Sequence, residues 1–299
     1  MTRQVHIITA VANPLPQRSI DQILSSLDQW GVGVASGRWL GKKEAWEVPV
    51  DLGSLSAQAA ADSLRKVLHN VDFAVTLDSP YRRKRLLCAD MDSTMVQGET
   101  LDEVANMLGI GEKVAAITTR AMRGEIDFAE ALMDRVAMLK GIGIDAFQAV
   151  LDNIKMSEGA KTLVATMKHL GAHCVLVTGG FDVVAQPVAD MLGFNQTVAN
   201  QLVQRNGLLT GGLGLPLVDN VRKAETLKTE ASSRNLYMSQ TMAMGDGAND
   251  RDMIACSGLG IAYHGKPLLT TATPNHIRHT DLTAALYFQG IAKDEWQMA

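Results

Sequence analysis

Apolar and polar residues follow two different rhythms along this chain, and the change falls near residue 80. The run VHIITAV at residues 5–11 reads as a strand. Residues 20–30 place Ile20, Ile23, Leu24 and Leu27 at helical spacing before Gly31 stops the pattern. Strand-like runs follow at 32–40 and 45–50, then a second helical pattern at 57–68 and a last strand at 72–77. The order strand, helix, strand, strand, helix, strand is the ferredoxin-like arrangement. Asp78, Ser79 and Pro80 break the pattern, so a small α+β domain is expected over residues 1–80.

Beyond residue 81 the apolar runs are short and continuous. LLCAD (86–90), HCVLVTGG (173–180), MAMGDG (242–247) and LGIAYHG (259–265) each end in glycine or charge, and helical patterns such as 161–170 and 223–232 separate them. This predicts an α/β domain over 81–299, a parallel sheet with helices on both faces. Ligands of such sheets lie beyond the carboxyl ends of the strands. Residues 101–154 carry helical patterns only, which predicts a helical cap insert over about 98–156. Two short strand-like pieces in 195–215 flank Asn206-Gly207, a hairpin signal. The stretch from Thr270 onward predicts a short strand and a terminal helix.

Composition narrows the possibilities without choosing among them. Apolar residues make up 46% and charged residues 20%, as in ordinary globular proteins. A net charge of −4 gives no global attraction to nucleic acid or anionic membrane, so neither is an expected partner. No apolar stretch approaches the roughly 18 residues of a membrane helix. The first apolar run meets Asn13, Pro14 and Pro16 with no small-residue cleavage site after it, which speaks against a secretory signal. Cys88, Cys174 and Cys256 are odd in number and far apart, so inert thiols and a cytoplasmic location are expected.

The chemistry sits where the apolar runs stop. Asp90-Met91-Asp92-Ser93-Thr94 closes the first run of the second domain with two carboxylates two residues apart. One could attack phosphorus while the other moves the leaving-group proton, and together they call for a hard cation. Alone, this pentapeptide also resembles a surface turn. Val177-Thr178-Gly179-Gly180 ends another run, where glycine N–H groups and a hydroxyl suit an anion. Lys223 stands at the opening of a helix, a place where lysines are usually solvated. Gly245-Asp246-Gly247-Ala248-Asn249-Asp250 ends a further run with more carboxylates. Four such features, in order on different strand ends, make up the parts list of a phosphoryl-transfer site.

Asp90-x-Asp92-x-Thr94, Thr178-Gly179-Gly180, Lys223 and GDGAND resemble the four motifs of the haloacid dehalogenase superfamily. The longer strings DMDSTMVQGETLDEVA, VTGGFD and GDGANDRDM are similar to its phosphoserine phosphatase branch. The resemblance covers residues 85–291, and residues 1–80 more loosely resemble a regulatory ACT-like domain. It implies a magnesium-dependent hydrolysis of O-phospho-L-serine to L-serine and phosphate, the last step of serine biosynthesis. Asp90 would be the nucleophile, forming a phosphoaspartate, and Asp92 the acid and base. Asp90, Asp246 and the backbone carbonyl of Asp92 would hold Mg2+, with Asp250 in support. Thr178, Gly179, Gly180, Lys223 and Asn249 would bind the phosphoryl oxygens. Relatives often have serine where this chain has Thr178, so the hydroxyl is retained.

For the rest of the substrate, the resemblance implies Glu99 on the ammonium, Arg135 on the carboxylate and Phe128 packing beside them. Ion pumps of the superfamily have threonine at the position of Asp92, where their phosphoenzyme persists; Asp92 implies hydrolysis instead. The first loop, Ala12-Asn13-Pro14-Leu15-Pro16, lacks the glycine usual in amino-acid-binding ACT domains, so homodimer contacts are the expected role of that domain. Two alternatives stay open: another small phosphomonoester, such as phosphohomoserine or a sugar phosphate, and an amino-acid-sensing regulatory protein.

Overall fold

The computed structural model describes residues 4–33, 35–122 and 125–298, the side chains of Met122 and Phe128 excepted. The first unit runs β1 (Val5–Val11), α1 (Gln17–Gln29), β2 (Arg38–Gly41), β3 (Ala45–Asp51), α2 (Ala57–Val67) and β4 (Asp72–Leu77). The strand expected over 32–40 is shorter than its apolar pattern: only Arg38–Gly41 pairs with β3, and Val34 lies outside the described residues. Close packing shapes this segment. A Cβ on Gly37 would lie 2.0 Å from the Trp46 ring, so the chain crosses that indole with no side chain of its own.

The second unit begins with β5 (Leu86–Ala89). The insert follows as α3 (Thr100–Met107), α4 (Gly111–Met122), α5 (Phe128–Ala137) and α6 (Ala146–Asn153), and a bridge between Val96 and Met156 closes its base. Then come α7 (Ala160–His169), β6 (His173–Phe181), α8 (Asp182–Leu192), β7 (Gln196–Asn200), β8 (Leu202–Arg205), β9 (Leu208–Leu213) and α9 (Asn220–Ser233). The chain finishes with β10 (Thr241–Gly245), α10 (Arg251–Cys256), β11 (Leu259–Tyr263), α11 (Pro267–Thr270), β12 (His276–Ile277) and α12 (Ala284–Phe288).

Residues 195–215 hold three strands rather than two. β7 joins the main sheet beside β6, and β8–β9 form a separate hairpin whose turn residues Asn206 and Gly207 both have positive φ (54° and 79°). That hairpin belongs to the cap. Leu209 N–H donates to the Ile142 carbonyl at 2.8 Å, and Gly141 N–H to the Leu209 carbonyl at 2.8 Å. Contacts of this kind join segments some 65 residues apart in sequence, which no local pattern announces.

Ten strands form one sheet in the order β2-β3-β1-β4-β12-β11-β10-β5-β6-β7. The β12 to β7 half is parallel, and the β2 to β4 part is antiparallel. β5 is the pivot: the chain leaves it toward β6 on one side and later fills β10 on the other, so the strand order switches there. Such a switch point opens a crevice at the carboxyl ends. Successive side chains of β5 separate the two apolar layers. Leu87 and Ala89 pack with α7, α8 and the insert, while Leu86 and Cys88 pack toward α9 and α10. Burial raises the pKa of the Cys174 thiol to about 12 and also that of Cys88, which leaves both unreactive.

The two units meet through polar contacts as well as through the sheet. β4 pairs with β12 at Phe73 and His276. The buried Asp72 carboxylate accepts from the N–H groups of Arg278, His279 and Thr280 and from the Thr280 hydroxyl. Buried His276 lies beside Arg65, with Nε2 at 2.9 Å from the Thr273 carbonyl. Burial first, and then the charge of Arg65, push its pKa from 6.5 down to about 4. The unfolded chain therefore takes up the proton before the folded one does. The stabilisation from neutral His276 is complete above the unfolded pKa and is lost as pH falls from 6.5 toward 4, by up to about 3 kcal/mol. Urea unfolding at about pH 7.5 and about pH 5 is expected to show a smaller pH-dependent loss in His276→Gln than in the wild type. Equal losses in the two proteins would refute this account.

Candidate active site

β5 ends in a tight turn that presents Asp90. Asp90 N–H donates to the Met244 carbonyl (3.0 Å), its Oδ1 accepts from Met91 N–H (2.8 Å), and Val96 N–H closes the turn onto the Met91 carbonyl (3.0 Å). Ser93 takes a left-handed φ of 54° within it. The carboxylate is thereby held at the switch point rather than free in solvent. Asp92, half-buried, accepts from Thr100 N–H at 3.1 Å, which ties it to the start of α3. Burial chiefly, and the nearby Glu99 charge, push the Asp92 carboxyl up to about 7.

Lys223 does not behave as an exposed helical lysine. Asp219 caps α9 by accepting from Arg222 N–H (2.8 Å), and the next residue turns inward with no solvent exposure. Its Nζ lies 2.7 Å from Asp90 Oδ1 and 2.7 Å from Asp250 Oδ1. Burial disfavours the ammonium, but Asp250 and Asp90 outweigh it and hold the Lys223 pKa above its ordinary value. The second oxygen of Asp250 accepts from Gly247 N–H at 3.0 Å, so both of its oxygens are engaged. This packing requires glycine at 245, where a Cβ would fall 2.3 Å from the Asp250 carboxyl carbon.

Asp90, Asp246 and Asp250 are all buried, and one ligand oxygen from each lies within 4.8 Å of the others. Burial, then the Asp250 charge, raise the Asp90 carboxyl well above the usual range despite Lys223. Burial likewise raises Asp246, against the pull of Lys266. Three clustered carboxylates beside one buried lysine form an all-oxygen donor set that suits a hard divalent cation.

The end of β6 completes the wall. Thr178 is buried, and its hydroxyl accepts from Gly180 N–H at 2.8 Å, so that N–H is already bonded within the loop rather than free for an anion. Gly180 serves a different purpose: a Cβ there would lie 3.0 Å from Asp92 Oδ2. Gly179 is anchored through its carbonyl, which accepts from the buried Asn200 side chain at 2.8 Å. The half-buried Asn249 folds its side-chain oxygen over Gly247.

Toward the insert, Glu99 Oε1 accepts from the Ser93 hydroxyl at 2.9 Å. Arg135, on α5, is half-buried with its Nε donating to the Ala131 carbonyl (3.2 Å), and the acids whose charge it feels are Asp102 and Glu99. The Phe128 side chain lies outside the described residues.

Two contributors carried no motif signal. Asn200 holds Gly179 and, through its Oδ1, accepts from Val218 N–H ahead of α9 (2.8 Å). Lys266 places its Nζ 3.0 Å from Asp246 Oδ2 and 3.9 Å from Glu99 Oε1, and donates its backbone N–H to the Asp246 carbonyl. Only the strand-end position of HGKP, after β11, hinted at Lys266.

With this geometry in place, likeness to known proteins is informative. A profile of haloacid dehalogenase-like hydrolases matches residues 87–255. A phosphoserine phosphatase of Mycobacterium tuberculosis is 41% identical over 219 residues, 73% of this chain and 54% of that protein. One from Streptomyces coelicolor is 32% identical over 296 residues, 98% of this chain and 72% of the relative. This chain thus spans about half of the first relative's length and nearly three quarters of the second's. Among solved structures, a probable phosphoserine phosphatase of Vibrio cholerae superposes with a TM-score of 0.76 at 28% identity, over 98% of this chain and 88% of the other. Among the described residues, no helix is long and apolar enough to cross a membrane.

Proposed function

The chain belongs to the haloacid dehalogenase-like hydrolases, and on that premise we propose that it hydrolyses O-phospho-L-serine to L-serine and phosphate. One observation carries the reading: a fully buried Lys223 bridges Asp90 and Asp250 at the strand-order switch, beside Asp246. Phosphate release from O-phospho-L-serine, with and without Mg2+ and beside sugar phosphates and phosphohomoserine, tests it. Release from the other esters but not from phosphoserine would leave the chemistry standing and refute the substrate.

In this reading an Asp90 oxygen attacks phosphorus. The phosphorus–oxygen bond to the serine side chain breaks, and the departing oxygen takes the proton of Asp92. Water then attacks the phosphoaspartate, its proton returns to Asp92, and the bond to Asp90 breaks, freeing phosphate. Lys223 fixes the Asp90 rotamer and meets negative charge as it develops on the phosphoryl oxygens. Thr178, Gly179 and Asn249 line the same wall. Asp90, Asp246 and the Asp92 carbonyl are the residues to hold Mg2+, with Asp250 committed to Lys223 and Gly247 and so placed in support. When bound, Mg2+ supplies charge neutralisation and orientation of the phosphoryl group. All of these side chains come from residues 81–299, and we assign residues 1–80 as a non-catalytic, ACT-like unit.

Glu99 and Arg135 face the substrate's amino acid part in this assignment, one for its ammonium and one for its carboxylate. A guanidinium pairs with a carboxylate through charge-assisted hydrogen bonds of about 1.5–3 kcal/mol. Arg135→Ala is therefore expected to raise KM for phosphoserine roughly 10- to 100-fold with little change in kcat. KM for a phosphate ester without a carboxylate, such as p-nitrophenyl phosphate, should stay within a few-fold of the wild type. Unchanged KM for phosphoserine would remove Arg135 from substrate recognition.

A further inference from the structure

Away from the candidate catalytic crevice, the joint between the two units holds a partly open cavity of about 290 Å3. Its origin is the sheet itself. β4 pairs with β12 only at Phe73 and then runs on, so Val75, Thr76 and Leu77 face the first residues of β11 across a gap. Asn275 spans part of that gap. Its Oδ1 accepts from Val75 N–H (3.2 Å) and its Nδ2 donates to the Gly260 carbonyl (3.1 Å). The remaining space equals the volume of about ten water molecules.

The charge on its wall is one-sided. Arg82 and Lys84 line it together with the hydroxyl residues Ser79 and Ser239, and among the described residues none that lines it is acidic. Arg82 already has a partner outside the cavity, Glu47 at 2.5 Å. Lys84 does not. It is 9% exposed, and its ammonium donates to two backbone carbonyls, those of Tyr81 (2.8 Å) and Ser239 (2.7 Å), with no carboxylate in reach among the described residues. A buried ammonium held by carbonyls alone leaves its charge uncompensated, which is costly. Burial and the neighbouring Arg82 accordingly press its pKa down to about 8.

We propose that this cavity is a binding site for a small oxyanion, a carboxylate or inorganic phosphate, with Lys84 as its countercharge and the Ser79 and Ser239 hydroxyls as further donors. The same wall selects against amino acids. An α-ammonium would meet Lys84 and Arg82 and find no carboxylate to accept it. The site is therefore distinct in chemistry from a zwitterion pocket, and it does not depend on the substrate assigned above.

Malonate and inorganic phosphate are the two probes, one for each source of oxyanion, with L-serine as the contrast. Crystals of the wild-type protein grown with each probe are expected to show malonate, phosphate or both within hydrogen-bonding distance of Lys84 Nζ, and no serine there. Calorimetric titration of the bound probe should weaken roughly tenfold or more in Lys84→Met, the charge-assisted contact being lost. A cavity that stays free of both anions in the wild-type crystals overturns the proposal, as does serine bound at Lys84 or an affinity unchanged in the variant. If Lys84→Met does not fold, the wild-type crystals decide the matter alone.

Discussion

Asp90→Asn is expected to lower phosphate release from O-phospho-L-serine by at least roughly 10^4-fold, because an amide oxygen cannot serve as the attacking carboxylate. The loss should be chemical rather than structural. Asparagine can still accept from Met91 N–H, and Lys223 keeps its contact with Asp250. Two buried carboxylates, Asp90 and Asp250, share the buried Lys223 beside a third, Asp246, and burial with the Asp250 charge already strains the ionised form of Asp90. Removing one charge should leave the melting temperature of the metal-free protein equal or higher, by roughly 2 °C if about 1 kcal/mol of repulsion is relieved. Phosphate release and a thermal melt on the same preparation check both parts. Substantial turnover in the variant would remove Asp90 as nucleophile, and a large drop in melting temperature would mean that the residue is chiefly structural.

The second large effect concerns the proton. Asp92→Asn is expected to slow turnover of phosphoserine roughly 10^2- to 10^4-fold, the range for loss of a positioned acid and base. The carboxyl is suited to that task because burial and Glu99 bring it to about 7, where both protonation states are available near neutrality. The fold should persist, since an amide oxygen at the same place can accept from Thr100 N–H. A substrate with a good leaving group separates the two half-reactions. With p-nitrophenyl phosphate the first step needs no acid, whereas hydrolysis of the phosphoaspartate still needs a base. The variant should then release about one nitrophenolate per enzyme in a burst and turn over slowly afterwards. Wild-type turnover of phosphoserine, without a burst, would exclude Asp92 from the mechanism.

Both effects concern residues that were legible in the sequence, and the reason is local. Two carboxylates two residues apart, a glycine pair after an apolar run and a GDGAND turn are short signatures, because strand ends and tight turns are built from neighbouring residues. The parallel α/β class was legible for the same reason: continuous apolar runs between amphipathic helices leave few other ways to bury both faces of a sheet. Lys223 was half-legible. Its position matched a motif, but its burial against Asp90 and Asp250 could not be read from the first turn of a helix.

What local patterns lack is any record of which strands become neighbours. The residues of β5, β6, β10 and β11 specify strands, but only the assembled sheet puts β5 between β6 and β10 and so brings Asp90, Thr178 and Asp246 to one crevice. Three further features come from contacts between distant segments: the hairpin β8–β9 that completes the cap, Asn200 holding Gly179, and Lys266 reaching both Asp246 and Glu99. The join of β4 to β12, and the cationic cavity left where β4 and β11 part, are of the same kind. The sequence by itself therefore determined the residue types of the candidate site and the type of each main element, since both are written in spacing over a few residues. The tertiary structure alone decided strand order, the burial of charge and the shape of the cavities, because these depend on packing between residues tens to hundreds of positions apart.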